Sequence, residues 1–209
     1  MRRVDPLDDE EIERLARVHE GRLESLLAVD EAVDLLLQRL ESTGELDDTL
    51  VLYTSDNGFL EGEHRLEKKN VFYEESARVP LLIRGPGFPA GAVRSQATAN
   101  VDLAPTILDA AGVHSRRRMD GRSLLPLAAD GAAARGRGVL LENTGSVGVR
   151  TRRFMYARHP NGDEQELYDL RQDPFQLESL HADPDYSGTR RGLSRRLDVL
   201  DDCSGASCR

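Results

Sequence analysis

The run Thr49-Leu50-Val51-Leu52-Tyr53-Thr54 is short, apolar and β-branched, and it breaks off into Ser55-Asp56-Asn57-Gly58. A run of this kind reads as a strand buried on both faces, as in parallel sheets. Before it, Ile12, Leu15, Leu23, Leu26, Leu27, Val29, Val33, Leu36, Leu37 and Leu40 recur at roughly helical spacing as far as Gly44. Asp8 and Glu11 have the spacing of a capping box at the start of that helix. The pattern is one long amphipathic helix, or two joined near Gly21. A helix delivered onto a buried strand predicts an α/β fold.

Residues 55–76 are polar and contain Gly58 and Gly62. A loop of that length is rarely kept in a compact domain without a use. Arg78-Val79-Pro80-Leu81-Leu82-Ile83-Arg84 is a second strand, with Pro80 expected at its beginning or on an unpaired side, and Gly85-Pro86-Gly87 ends it. Asp102 is the expected N-cap of a short helix that stops at Gly112. Asp130 to Arg137, rich in Ala, Gly and Arg, reads as a linker. It divides the chain into residues 1–130, part of an α/β domain, and residues 138–209, a small α+β subdomain. In the latter, strands are expected at Val139-Leu140-Leu141, Val147-Gly148-Val149-Arg150, Phe154-Met155-Tyr156-Ala157 and Glu166-Leu167-Tyr168-Asp169-Leu170. Asp173-Pro174 then turns the chain toward a terminal helix from Gly188 to Leu200, and the strands should form an antiparallel sheet.

Composition narrows the function classes. Charged residues make up 31%, hydrophobic residues 39%, Trp is absent and the formal net charge is −9. This is a charged globular chain. An acidic balance argues against binding a phosphate backbone, so no nucleic-acid partner is expected. No apolar run approaches the ~18 residues that span a bilayer, so no membrane partner is expected either. Met1-Arg2-Arg3 leads into acidic residues where a signal peptide would need an apolar stretch, and the compartment stays undetermined. Cys203 and Cys208 are five apart, and Gly205 would let a small disulfide loop close; free thiols are the equal alternative.

The residues that carry chemistry follow the first strand. Ligands of open α/β sheets bind just outside the carboxyl ends of strands, where Asp56 and Asn57 emerge. A carboxylate and an amide oxygen are hard ligands suited to Ca²⁺ or Mg²⁺, and Gly58 lets the backbone turn away.

The ordered stretch Asp56-Asn57-Gly58-Phe59-Leu60-Glu61-Gly62-Glu63-His64-Arg65, then Lys68-Lys69, then Tyr73-Glu74-Glu75-Ser76-Ala77-Arg78-Val79-Pro80 through Gly87 resembles the sulfatase family of the alkaline-phosphatase-like superfamily. The likeness continues through Asp102-Leu103-Ala104-Pro105-Thr106 and Asp120-Gly121-Arg122-Ser123-Leu124, and returns at Glu166-Leu167-Tyr168-Asp169-Leu170 with Asp173-Pro174. It covers most of the chain and matches the C-terminal portion of the family. The resemblance implies an alkaline-phosphatase-like parallel sheet with flanking helices, and sulfuric ester hydrolysis. It makes Asp56 and Asn57 ligands of a Ca²⁺ ion and Lys69 the lysine that contacts the sulfate, with Lys68 as the alternative. His64 is a candidate proton donor to the leaving alcohol or a structural histidine, and Arg65 a candidate substrate contact. The substrate implied is a sulfated small molecule or carbohydrate. His114, His159 and His181 have no companions at ligand spacing and are read as incidental.

Sulfatases use a formylglycine made within Cys/Ser-x-Pro-x-Arg, a motif these residues do not contain. Cys203 is followed by Ser204-Gly205-Ala206-Ser207, without its Pro or Arg. The expectation is therefore a fragment, inactive alone, whose nucleophile and remaining Ca²⁺ ligands belong to a missing N-terminal part or a separate N-terminal half. A phosphodiesterase or phosphonate hydrolase of the same superfamily is the enzyme alternative, although Asn57 suits transition metals poorly. A non-catalytic protein that binds a sulfated ligand is the alternative from another class.

Overall fold

The computed structural model describes residues 5–133, 136–160 and 164–208. Helix α1 (Asp9–Thr43) is continuous through Gly21, so the two-helix alternative falls away. Asp8 and Glu11 close the capping box, with Glu11 N donating to Asp8 Oδ1 at 2.8 Å and Asp8 N donating to Glu11 Oε2 at 3.1 Å. Gly44 ends the helix in the left-handed conformation, φ 74°, which glycine adopts without steric cost.

Strand β1 (Val51–Thr54) follows, and the segment after it holds β2 (Leu60–Glu61), β3 (Glu67–Lys68) and the single turn α2 (Glu74–Ala77) before β4 (Leu81–Arg84). Pro80 sits just ahead of β4, where no ladder donor is needed. The α/β class stands, but β1 and β4 pair antiparallel, Val51 opposite Arg84, rather than side by side in a parallel sheet. Parallel neighbours need a crossover of a dozen or more residues, usually helical. The connection here is a compact excursion whose one α-helix has 4 residues, and it returns the chain in the opposite direction.

Helix α3 (Leu103–Ala110) has Asp102 at its N-cap, as expected. Asp102 does not cap it through its side chain. Its fully buried carboxylate instead accepts from Ala99 N and Arg122 N, each at 2.9 Å, and takes a two-pronged ion pair from Arg137 at 2.5 and 2.8 Å. The expected linker thus ends on an anchored residue, and of the rest Ala134 and Arg135 lie outside the described residues. A short helix that the sequence did not announce, α4 (Leu125–Ala129), packs near α3.

The four expected C-terminal strands form one antiparallel meander: β5 (Gly138–Asn143), β6 (Ser146–Thr151), β7 (Phe154–Arg158) and β8 (Gln165–Asp169). Successive side chains of a strand point to opposite faces. On one face Val149, Tyr156 and Leu167 pack against Leu193 and Leu197 of the terminal helix α5 (Ser187–Asp201). On the other, Met155, Ala157 and Tyr168 pack against Leu60, Phe72 and Tyr73. The second face carries the segment between β1 and β4, and so sets where its polar residues stand. Cys203 and Cys208 form a disulfide, their Cα atoms 5.2 Å apart. Among the described residues no helix is long and apolar enough to cross a membrane.

Candidate functional site

Asp56 and Asn57 leave the end of β1 on an irregular turn held by its own side chains. Ser55 Oγ donates to Asn57 O at 2.9 Å, Asn57 N donates to Asp56 Oδ1 at 2.9 Å, and Asn57 Nδ2 donates to Gly58 O at 2.8 Å. Gly58 then runs hard against α2. Its N–H donates to Ser76 O at 2.9 Å, and a Cβ at this position would collide with the Glu75 carbonyl oxygen. Only glycine fits there, and the close contact fixes the turn to the helix that precedes β4.

Lys69 reaches back across the segment, its Nζ donating to Asn57 Oδ1 at 3.2 Å. Asp56, Asn57 and Lys69 are thereby brought together, with Asp56 and Lys69 exposed and Asn57 half-buried. Lys68 takes a different path. It belongs to β3, opposite Leu60, and lines a cavity with Asn143 of β5, Ser146 of β6, His159 and Glu166 of β8.

His64 and Arg65 both adopt left-handed backbone, φ 55° and 58°, a region that side-chain-bearing residues seldom enter. The His64 ring stacks on Tyr73, centroids 3.7 Å apart and planes 9° from parallel, and its side chain is 5% exposed. Its Nε2 lies 3.9 Å from Glu75 Oε2, a buried oxygen with no hydrogen-bond partner among the described residues. No hydrogen bond among the described residues links His64 to Asp56, Asn57 or Lys69, whereas the stack on Tyr73 ties the turn to the core. Arg65 is exposed. Burial, with the Glu166 charge behind it, raises the pKa of the Tyr73 phenol well above the ordinary tyrosine value.

Hard oxygen donors are the right kind for Ca²⁺, but the number is short. Calcium takes roughly 6–8 oxygens. Asp56 and Asn57 offer two side chains, and among the described residues no group of three or more His, Cys, Asp or Glu could hold an ion. The residues present do not by themselves enclose a metal.

His159, read as incidental for want of companions at ligand spacing, has polar neighbours from elsewhere in the chain. His159 Nε2 lies 2.8 Å from Glu166 Oε1 and its Nδ1 lies 3.1 Å from Ser146 Oγ, inside the cavity that Lys68 lines. The register of β7 and β8, Arg158 opposite Gln165, brings His159 and Glu166 together from positions seven apart. The alternation of Glu166 and Tyr168 on one face of a strand was the available signal, but the hairpin pairing was needed to use it.

The profile described as N-sulphoglucosamine sulphohydrolase, C-terminal, matches residues 62–202, and that of Sulfatase matches residues 2–113. The chain belongs to the sulfatase family. It is 37% identical over 203 residues to N-acetylglucosamine-6-O-sulfatase of Bacteroides thetaiotaomicron, covering 84% of this chain and 34% of that protein. It is 34% identical over 247 residues to human N-acetylglucosamine-6-sulfatase, covering 98% of this chain and 44% of that protein. The chain thus spans well under half the length of these relatives. Among solved structures, a protein in complex with its substrate D-glucosamine-2-N,6-O-disulfate aligns with TM-score 0.75 and 36% identity, over 83% of this chain and 38% of that one. Phosphonate monoester hydrolase of Agrobacterium radiobacter aligns with TM-score 0.69 and 30% identity, over 83% and 39%.

Proposed function

We propose that this chain supplies the C-terminal part of a sulfuric ester hydrolase acting on a sulfated amino sugar. The observation that carries the reading is the meeting of Lys69 with Asn57 beside Asp56 at the end of β1. A sulfate ester gains little from proton chemistry at sulfur, so catalysis depends on stabilising oxygen charge from fixed positions. In this reading the Lys69 ammonium is a compact charge against the sulfate oxygens. Asp56 and Asn57 supply two of the oxygens of a Ca²⁺ site. An ion held there would supply Lewis-acid stabilisation of charge on the sulfate. Arg65 is a substrate contact at the rim. His64, held by Tyr73, positions the turn rather than donating a proton. The kinship with N-acetylglucosamine-6-sulfatases supports the amino-sugar substrate.

The formylglycine nucleophile and the remaining Ca²⁺ ligands are proposed to come from polypeptide outside these residues. That polypeptide would be received by the apolar surface of α1 and by β1 and β4, so the 209 residues alone should not turn over substrate. Residues 1–130 would complete the catalytic domain and residues 138–209 form its subdomain. The phosphonate hydrolase reading has support from the Agrobacterium radiobacter structure. Asn57 favours the sulfatase, since an amide oxygen is a weak ligand for the transition metals that phosphoryl hydrolases hold.

Co-expression with a sulfatase N-terminal portion carrying a mature formylglycine tests the reading. Arylsulfate hydrolysis should appear only in the mixture, and Lys69→Ala should lower its kcat by about 10²–10³, the scale of losing one charge-stabilising donor. An unchanged rate in Lys69→Ala would remove the sulfate contact from Lys69.

A further inference from the structure

The N-terminal turns of α1 lie along the segment that carries Lys69, and their contacts with it are mainly ionic. Arg14 grips the Glu67 carboxylate with both terminal nitrogens, Nη1 donating to Oε1 at 3.2 Å. Arg22 pairs with Glu61, and His19 Nδ1 lies 2.7 Å from the other oxygen of that carboxylate. The Arg22 guanidinium also covers the Phe59 ring, 4.4 Å from its centroid. Between these contacts Leu15, the buried residue of α1, meets Gly62, where a Cβ would stand 3.1 Å from Leu15 Cδ1.

The hairpin held in this way is poor on its own. Its ladder has two pairs, Leu60 opposite Lys68 and Glu61 opposite Glu67. A lone two-stranded hairpin is marginal in water, and like charges directly opposite each other destabilise the pairing. Glu63 adds a third carboxylate, its Oε2 accepting from Glu61 N at 2.6 Å. His64 and Arg65 turn the chain through left-handed backbone at further cost. Leu60 and the His64–Tyr73 stack fasten the hairpin to the core, but neither offsets its charge. Arg14 and Arg22 do, one against each acid of the facing pair. A single exposed ion pair contributes little. Here two of them meet the same repulsive rung, and the cation over Phe59 adds to them.

The two ends of this hairpin are the two halves of the candidate site. Asn57 lies three residues before β2 and Lys69 directly after β3, so closing the ladder brings Lys69 Nζ to Asn57 Oδ1. We propose that Arg14 and Arg22 are positioning residues for the sulfate site: from α1 they neutralise the Glu61–Glu67 rung and so hold Lys69 at Asn57. The inference deepens the functional reading above and rests on it only for what Lys69 contacts.

The double variant Arg14→Gln/Arg22→Gln tests it, since both side chains are exposed and can be replaced without opening the core. In the 209-residue chain the Gly62 amide, which donates across the hairpin to Leu66 O, should exchange about tenfold faster, the scale of two surface ion pairs lost together. The Leu180 amide, which donates to Leu167 O in the C-terminal subdomain, should keep its rate. The side-chain amide resonance of Asn57 should move toward its position in Lys69→Ala. Arg14→Lys/Arg22→Lys should behave nearly as the parent, and in a Glu61→Gln/Glu67→Gln background the glutamine replacements of the arginines should have no effect on exchange. In enzyme reconstituted with an N-terminal portion, the double variant should lower kcat about tenfold, because a small misplacement of a charge-stabilising group is costly. It should add nothing to Lys69→Ala, as for residues that act through one another. Unchanged Gly62 exchange with an unmoved Asn57 resonance would overturn the proposal, as would an exchange effect that persists in the glutamine background or a further tenfold loss on top of Lys69→Ala. If exchange and the Asn57 resonance respond while Lys69→Ala leaves kcat unchanged, the sulfate contact falls and the brace from α1 stands.

Discussion

Helices α1 and α5 show two different ways of being stable. Helix α5 has 15 residues and buries Leu193 and Leu197 against the sheet β5–β8. Helix α1 has 35 residues and buries Leu15 alone. Ile12, Leu23, Leu26, Leu27, Val29, Leu35 and Leu36 stay exposed along it, Leu27 at 65% and Leu36 at 65%. Tyr53 of β1 and Leu82 of β4 are exposed as well. So many large apolar side chains left exposed mark an interaction site or an aggregation liability. Among the described residues, then, the C-terminal sheet is covered on one face by α5 and on the other by Leu60, Phe72 and Tyr73, while α1 presents a face that nothing here covers. Because the chain spans 34% and 44% of the relatives compared, that asymmetry fits a packing surface shared with further polypeptide.

The largest effect that could break this contrast is side-chain truncation beside the covered sheet. Leu197 is fully buried between α5 and the sheet, so Leu197→Ala should cost about 2–5 kcal/mol in urea unfolding of the chain. A loss below about 1 kcal/mol would show that this core is not what holds the fold.

Alkaline pH probes the other face of the same sheet. Burial raises the pKa of both Tyr73 and Tyr168, and the neighbouring Glu166 charge adds to it. The folded state therefore holds both phenols protonated when the unfolded state would release them. Their contribution is intact below the ordinary tyrosine pKa near ~10 and declines as pH rises through it, by at most about 1.4 kcal/mol per pH unit per group. Urea midpoints measured from pH 8 to 11.5 should fall above pH 10 for the parent and less steeply for Tyr73→Phe. Identical slopes would contradict the burial.

The smallest effect belongs to α1. Leu36→Gln, on the uncovered face, should change the stability of the isolated chain by no more than about 0.5 kcal/mol. Reduced self-association in light scattering should accompany it. A loss comparable to that of Leu197→Ala would mean that α1 already has a packed core in this chain.

Much of the site and fold was legible beforehand, and the exceptions share a cause. The capping box of Asp8 and Glu11, the stop at Gly44, the strand into Asp56-Asn57-Gly58 and the four C-terminal strands all rest on local chemistry. Period, cap and turn act over a few residues. The direction of β4 against β1 did not follow from their composition, because an apolar β-branched run pairs in either sense and the connection decides. Asp102 looked like a cap from its neighbours, yet its carboxylate is drawn to Arg137, 35 positions away.

The sequence by itself determined the bounds of α1, the existence of β1, β4 and the four C-terminal strands, and which family the chain resembles, because capping, periodicity and an ordered motif are properties of neighbouring residues. Only the tertiary structure decided that Lys69 rather than Lys68 meets Asn57, that His159 joins Ser146 and Glu166 in a cavity, and that α1 keeps its leucines exposed. Those outcomes depend on strand register and on what packs against each face, and both are set by contacts between residues far apart in the chain.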